Sequence, residues 1–112
     1  LIPCRPATFD LDAMVSTLEI VKAAQKPYAI VFNAARHGQR KIAEARAALE
    51  EINERPLENV IHDWVALEDA LVDGSAVHEY DPDGKAAKEV ALLYSSVTRL
   101  LVTNQEKRRK RA

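Results

Sequence analysis

The chain has 112 residues, of which 47% are hydrophobic, and its formal net charge is −1. This length suits one domain with its own core and argues against two domains. The single cysteine, Cys4, excludes an intrachain disulfide and a cysteine-rich zinc site, which indicates a reducing, cytoplasmic location and a small buried side chain at that position. Because the longest apolar runs fall short of the roughly 18 residues of a membrane-spanning helix, we expect a soluble protein without a membrane partner.

Charge is distributed unevenly along the chain. Residues 1–106 hold 11 basic and 17 acidic residues, a balance of −6, and the remaining five basic residues are consecutive. They are Lys107, Arg108, Arg109, Lys110 and Arg111. We therefore divide the chain into an α/β domain over 1–106 and a basic C-terminal tail over 107–112.

Short apolar runs alternate with segments of helical periodicity, which predicts an α/β fold whose parallel sheet is buried on both faces. The opening Leu1-Ile2 reads as the end of a buried strand, so we expect these residues to be the second half of a larger fold. A first helix follows, with Asp10 as its N-cap. It should end near Gln25, because Pro27 disfavours helical geometry at the residue before it.

Two further strands and a second helix are predicted in the middle of the chain. The clearest strand covers residues 28–32, which places Asn33 directly after it, and a weaker strand covers 57–61. The helix between them begins at Gly38 and ends near Asn53. Its apolar stripe should face inward, and its outward charges are expected to be Lys41, Glu44, Arg46, Glu50 and Glu51.

The last third of the chain is predicted to be mainly helical. A short helix should cover residues 65–72, followed by an extended connector at 77–80. The Asp-Pro-Asp-Gly sequence at 81–84 is typical of a turn. From Lys85 a long helix with a continuous apolar face should run into the basic tail and fray there.

Asn33 and Asp10 are the candidate binding and capping residues. Ligands bind at the carboxyl ends of strands in open α/β sheets, and an amide there can donate to and accept from the edge of adenine. The alternative is that Asn33 only ends its strand with a turn. For Asp10, and for Asp12 beside it, capping of the helix is favoured over metal binding or acid–base chemistry.

No catalytic residue and no metal site are predicted. His37, His62 and His78 have no metal-ligand spacing with one another or with Cys4, so we interpret them as solvated or turn histidines. No serine lies in a Gly-x-Ser-x-Gly elbow, and the chain contains no Gly-x-x-x-x-Gly-Lys-Ser/Thr loop. A chain without that loop is not expected to hydrolyse a nucleotide unaided.

The basic run continues the last predicted helix. It could place positive charge on a phosphate backbone, with salt-dependent and sequence-independent affinity for DNA. The alternative is a solvated, frayed terminus. Because no aromatic residue is interleaved among the five basic residues, stacking on bases is not supported.

Six segments in order resemble the C-terminal half of ParA-type partition ATPases, relatives of MinD with a deviant Walker motif. They are LIPCRPATFDLDA at 1–13, KPYAIVFN at 26–33, EARAAL at 44–49, VALEDAL at 65–71, GSAVHEY at 74–80 and GKAAKEV at 84–90. The resemblance spans nearly the whole chain. It departs from the family at Asp63-Trp64-Val65, where members commonly have an Arg soon after the strand, so no role is carried over to that loop.

The resemblance implies the C-terminal half of a P-loop NTPase-like parallel sheet flanked by helices and ending in a long helix. Such proteins are nucleotide-dependent homodimers that bind DNA non-specifically and segregate plasmids or chromosomes with a centromere-binding partner protein. Their phosphate loop and second Walker Asp lie upstream of the matching residues, so we expect neither ATP nor Mg²⁺ to bind tightly to this chain alone.

Residue by residue, the resemblance assigns two kinds of contact. Asn33 matches the position whose amide approaches adenine, and the loop from Pro3 to Asp10, which includes Pro6, follows a strand near the nucleotide and dimer face. Arg99 and the basic run at 107–111 match late basic residues that contact DNA.

Three functions are consistent with these observations. The first is the C-terminal portion of a ParA-like ATPase, a parent enzyme whose activity this chain alone should lack. The second is a stand-alone interaction or regulatory module that binds DNA or a full-length relative without catalysis. The third is a small-molecule-binding α/β domain with no role in partition.

Overall fold

The computed structural model describes residues 1–36 and 38–112, which divide into two compact units, Leu1–Val65 and Ala66–Ala112. His37, which was interpreted as a solvated or turn histidine, lies outside the described residues. In chain order the elements are β1 (Ile2–Cys4), α1 (Thr8–Ala23), β2 (Ile30–Ala35), α2 (Gln39–Glu51), β3 (Val60–His62), α3 (Val65–Asp73), α4 (Val77–Tyr80) and α5 (Lys85–Arg111).

The first unit is built on a three-stranded parallel sheet in the order β1-β2-β3. Ile2 pairs with Ile30 and Cys4 with Phe32 across β1 and β2. The crossover helices α1 and α2 contact each other, as expected when right-handed crossovers join neighbouring strands and place both helices on one face. The predicted α/β class, with a parallel sheet flanked by helices and a long C-terminal helix, is therefore confirmed.

The core of this unit fills the space between the sheet and the two helices. Its buried side chains are Ile2, Cys4, Met14, Leu18, Ile30, Phe32, Ala45 and Leu49. Their helical members repeat every four residues, and their strand members alternate, which follows from the periods of the two structures. Cys4 is thus the small buried residue that its isolation in the sequence predicted.

The helices α1, α2 and α3 share the same backbone geometry at their C-terminal ends. Gln25 after α1, Asn53 after α2 and Gly74 after α3 all have positive φ angles, of 54°, 60° and 73°. After each helix two backbone amides donate back to carbonyls of its last turn, which is the Schellman arrangement. The predicted ends near Gln25 and Asn53 therefore mark these left-handed residues rather than the last helical ones.

The start of α1 differs from the prediction. The helix begins at Thr8 with Ala7 as its N-cap, and no side chain caps it. Asp10 lies inside the first turn, so its interpretation as the N-cap was wrong. Its carboxylate still lies at the positive end of the helix dipole, where a negative charge is favourable.

A polar cluster joins the ends of α1 and α2. Glu54 directly follows the left-handed residue after α2 and is only 7% exposed. The Tyr28 hydroxyl donates to its carboxylate at 2.8 and 2.9 Å, and Lys22 Nζ lies 2.6 Å from Oε1. Burial opposes the charged form of Glu54, but the hydrogen bonds from Lys22 and Tyr28 prevail and hold its pKa below the ordinary value.

Arg46 of α2 connects the helix to the chain before β3. Its guanidinium donates to the carbonyl oxygens of Leu57 and Glu58, each at 3.1 Å, and lies 5.4 Å from the centre of the Phe32 ring. The prediction that Arg46 points outward was wrong. It is half-buried, because its position four residues after Ile42 and three before Leu49 sets it on the border of the inward face.

The second unit is helical. The predicted extended connector at 77–80 is instead the one-turn helix α4, anchored by the buried Val77. The 81–84 turn is confirmed, with the Gly84 amide donating to the Asp81 carbonyl at 3.1 Å. α5 starts at Lys85 as predicted and continues through Arg111, so the basic run is helical rather than frayed.

Of the helices within residues 1–36 and 38–112, none combines the length and the apolar character needed to cross a membrane.

We expect Arg46→Ala to lower the free energy of unfolding by about 1–3 kcal/mol, because it removes two hydrogen bonds and the ring contact at a half-buried position. Urea denaturation followed by circular dichroism measures this. The matched control is Arg40→Ala on the same helix, which removes the exposed 2.9 Å ion pair with Glu44 and should cost no more than about 0.5 kcal/mol. Equal destabilisation of the two variants would contradict the structural role of Arg46.

Glu54→Gln should destabilise the protein at pH 7 by about 1–2 kcal/mol, because the buried carboxylate accepts charge-assisted hydrogen bonds. Since the folded-state pKa of Glu54 is lowered, this contribution is complete above the ordinary carboxyl pKa of about 4.3 and disappears as pH falls through the folded value. The difference in unfolding free energy between wild type and variant should therefore shrink below about pH 4. Glu51→Gln, at an exposed position of α2, is the control that should show no such trend.

Candidate functional site

Asn33 lies in a bulge of β2. Phe32 pairs with Val60 and Ala35 with His62, so β2 uses one residue more than β3 over this interval. Ala34 has a φ of 50°, in the left-handed region. The extra residue leaves the Asn33 side chain exposed between the fully buried Phe32 and Ala35.

The predicted end of this strand at residue 32 was therefore wrong. The ladder continues past Asn33 because the Asp63 amide donates to the Ala35 carbonyl at 3.0 Å and His62 pairs with Ala35. Asn33 is not the residue after the strand but an irregular residue close to its carboxyl end. The side chain of Asn33 is exposed at this bulge, whereas that of Val31, two residues earlier in the regular part of the strand, is only 2% exposed.

Asn33 and Asp10 line one open depression of about 370 Å³ beside β1. The rest of its wall comes from β1 and from one face of α1. These residues are Ile2, Pro3, Cys4, Arg5, Ala13, Met14 and Thr17. Within the described residues, β1 has one hydrogen-bonded neighbour, β2, so the depression adjoins an edge strand of the sheet.

Of the other polar residues of this depression, Thr17 is not among the residues predicted from the sequence, and Arg5 lies within the predicted Pro3–Asp10 loop but was not singled out in it. Thr17 lies seven residues after Asp10, two helical turns along the same face of α1. Arg5 follows β1 directly, at the same end of the sheet as Asn33. The spacing of Thr17 from Asp10 and the place of Arg5 can be read from the sequence. That these residues lie beside Asn33 follows only once the strand ends are known.

Pro6 is placed elsewhere. It lines a second depression, of about 560 Å³, between α1 and α2, together with the exposed apolar side chains of Phe9, Val15 and Ile52. The three residues assigned to nucleotide by resemblance are thus not brought to one place. Asn33 and Asp10 share a depression, and Pro6 borders another.

The Cys4 thiol is not activated as a nucleophile. Burial, and then the charge of Asp10, raise its pKa above the ordinary value, and Sγ lies 3.3 Å from the Arg5 carbonyl oxygen. A thiol rather than a thiolate is a poor nucleophile and metal ligand. The depression therefore offers an amide, a carboxylate, a guanidinium and a hydroxyl, a set suited to binding a polar planar group by hydrogen bonds.

The remaining histidines lie apart from this depression. His62 is half-buried, with its ring 6.0 Å from that of Trp64, and His78 is exposed on α4. Across residues 1–36 and 38–112, no group of three or more His, Cys, Asp or Glu side chains is arranged to hold a metal ion.

The predicted DNA-contacting residues all lie exposed on the C-terminal half of α5. Because each helical residue is rotated by about 100°, consecutive basic residues surround the helix rather than share a face. Arg99, Arg109 and Lys110 fall on one side. Arg108 and Arg111 fall on the opposite side, in line with Val97 and Asn104.

No family model, curated protein or solved structure matches this chain.

Proposed function

We propose that this chain is the C-terminal portion of a ParA-like partition ATPase with a P-loop NTPase-like sheet. In the cytoplasm it would contribute adenine-side, homodimer and non-specific DNA contacts to the segregation of a plasmid or chromosome, together with a centromere-binding partner protein. The parent would hydrolyse ATP with Mg²⁺. The 112 residues contain no phosphate loop, so they alone supply recognition and not hydrolysis.

The observation that carries the proposal is the shared depression of Asn33 and Asp10. Two residues that the family resemblance assigns to the nucleotide side come together near the carboxyl ends of β1 and β2, where open parallel sheets bind ligands. Exposure at the bulge leaves the Asn33 amide able to both donate and accept, as the edge of adenine requires. Arg5 beside them supplies a positive charge.

The second candidate is a stand-alone module that binds DNA or a full-length relative without catalysis. It is favoured by the basic run, which extends an exposed helix by more than one turn. These basic residues do not need a nucleotide in order to contact a phosphate backbone. The two candidates differ in whether the depression beside β1 binds adenine.

Nucleotide binding tests the first candidate. On addition of Mg-ATP, NMR spectra of the ¹⁵N-labelled chain should show shifts at the Asn33 side-chain amide, Arg5 and Thr17, with a Kd on the order of 1 mM. Asn33→Asp should weaken binding at least about tenfold, because it removes the donor and adds a negative charge. Asn53→Asp, at an exposed left-handed position, is the matched control and should bind like wild type.

Two results would contradict this part of the proposal. Shifts that avoid the depression, or that Asn33→Asp leaves unchanged, would remove its role in adenine binding. Retention of ATP at micromolar concentration with hydrolysis would show that these residues carry the catalytic half as well.

DNA binding tests the contribution of α5. Fluorescence anisotropy with duplexes of unrelated sequence should give affinities that are similar to one another and that fall steeply with salt. The triple variant Arg99→Ala, Arg109→Ala and Lys110→Ala should bind more weakly, with a log–log salt slope smaller by about 1 for each phosphate that the variant no longer neutralises.

A charge-matched control distinguishes the loss of particular basic residues of α5 from a general loss of positive charge. Lys26→Ala, Arg40→Ala and Lys41→Ala remove three exposed cations from the first unit and should leave the salt slope unchanged. Deletion of residues 107–112 should abolish binding, and affinity that survives the deletion would exclude the basic run. DNA binding by a chain that fails the nucleotide experiment would favour the stand-alone module.

A further inference from the structure

The bulge in β2 decides on which side of the sheet the Asn33 side chain lies. Side chains alternate along a regular strand, so the residue after Phe32 would ordinarily turn to the face that Val31 shares, away from α1. Asn33 instead lines the depression together with Asp10 and Thr17 of α1. The extra residue of β2 therefore brings the Asn33 amide to the helix side of the sheet.

This bulge is unfavourable for the backbone at one residue. Ala34 has a φ of 50°, in the left-handed region, where the Cβ of any residue other than glycine crowds the backbone. The ladder between β1 and β2 ends at the pair of Cys4 and Phe32, so beyond Phe32 the strand β2 pairs with β3 alone. A change of pairing at Ala34 would therefore leave the β1 ladder intact.

A second register between β2 and β3 is available at the same place. If the two strands paired without the extra residue, Asn33 would lie opposite Ile61, and Ala34 would lie opposite His62. Because Ala34 and Ala35 are identical, the position opposite His62 would keep the side chain that it has in the bulged register. The regular register would relieve the left-handed φ and would lengthen the connection to α2 by one residue.

The polar side chain of Asn33 opposes this regular register. It would turn to the face of Val31 and Ile61, which are 2% and 7% exposed and do not belong to the core cluster that contains Phe32. Burial of an amide without hydrogen-bond partners is unfavourable. Backbone strain at Ala34 thus favours the regular register, and the Asn33 amide favours the bulge, and the two effects are of similar size.

We infer that β2 exchanges between a bulged register, which presents Asn33 beside Asp10, and a regular register, which turns Asn33 away from the depression. The structure shows the bulged register. A ligand that forms hydrogen bonds with the Asn33 amide in the depression binds the bulged register alone, and so it selects that register. The exchange is a property of β2 and β3, whereas its control by nucleotide rests on the proposed function.

Relaxation-dispersion NMR of the full chain without nucleotide should detect the exchange at the amides of Ala34, Ala35 and Asp63, with the regular register populated at about 1–10%. Ala34→Gly should lower this population about fivefold, because glycine adopts the left-handed conformation without a steric penalty. The matched control is Gln25→Gly, which relieves a φ of 54° after α1 and should leave the exchange in β2 unchanged.

Asn33→Val should reverse the preference, because an apolar β-branched side chain suits the buried face of a strand. The Asp63 amide, which donates to the Ala35 carbonyl oxygen at 3.0 Å, should then donate to the Ala34 carbonyl oxygen. Scalar coupling across the hydrogen bond, between the Asp63 nitrogen and the carbonyl carbon, identifies the acceptor. Asn33→Ala removes the amide without adding a branched side chain, and it should shift the register in the same direction if Asn33→Val does not fold.

Mg-ATP tests whether nucleotide controls the register. At a nucleotide concentration of about four times Kd, the population of the regular register should fall about fivefold, because only the bulged register binds. If the variants behave as expected and Mg-ATP has no effect, the exchange is supported, and its control by nucleotide fails together with the adenine contact of the proposed function.

Two results would overturn the inference. One is the absence of exchange at Ala34, Ala35 and Asp63 in the wild-type chain. The other is an Asp63 amide that still donates to the Ala35 carbonyl oxygen in Asn33→Val and Asn33→Ala.

Discussion

The pairing of β2 on both sides is the constraint on which the first unit depends. Phe32 lies opposite Cys4 in one ladder and Val60 in the other, is fully buried, and carries the Arg46 guanidinium against its ring. Because side chains alternate along a strand, a one-residue slip at this point would turn the core residues of β2 to the wrong face. The positions of α1 and α2 follow from this register, since each is a short crossover between neighbouring strands.

The bulge after Phe32 allows two residues of β2 that are three positions apart, Phe32 and Ala35, both to be buried. The core requires Phe32 and Ala35 to be buried, and the left-handed Ala34 absorbs the extra residue between them. Asn33 is displaced to the surface as a result, next to the first turn of α1 and the residue that follows β1. The adenine contact proposed for Asn33 would thus come from a β-bulge, and bulges are common beside binding sites.

α5 combines two surfaces that use different residues. One side carries Val97 and Asn104 with Arg108 and Arg111, and the opposite side carries Arg99, Arg109 and Lys110.

The sequence alone determined the α/β class, the turn at 81–84 and the long last helix, because periodicity, proline and glycine act within a few residues. It did not determine the end of β2 beyond Asn33, the half-buried position of Arg46 or the Glu54 cluster. Each of these depends on partners far apart in the chain: Ala35 with Asp63, Arg46 with Leu57, and Glu54 with Tyr28 and Lys22. Local propensity sets which elements form, whereas register and buried polar pairing are decided only when those elements pack.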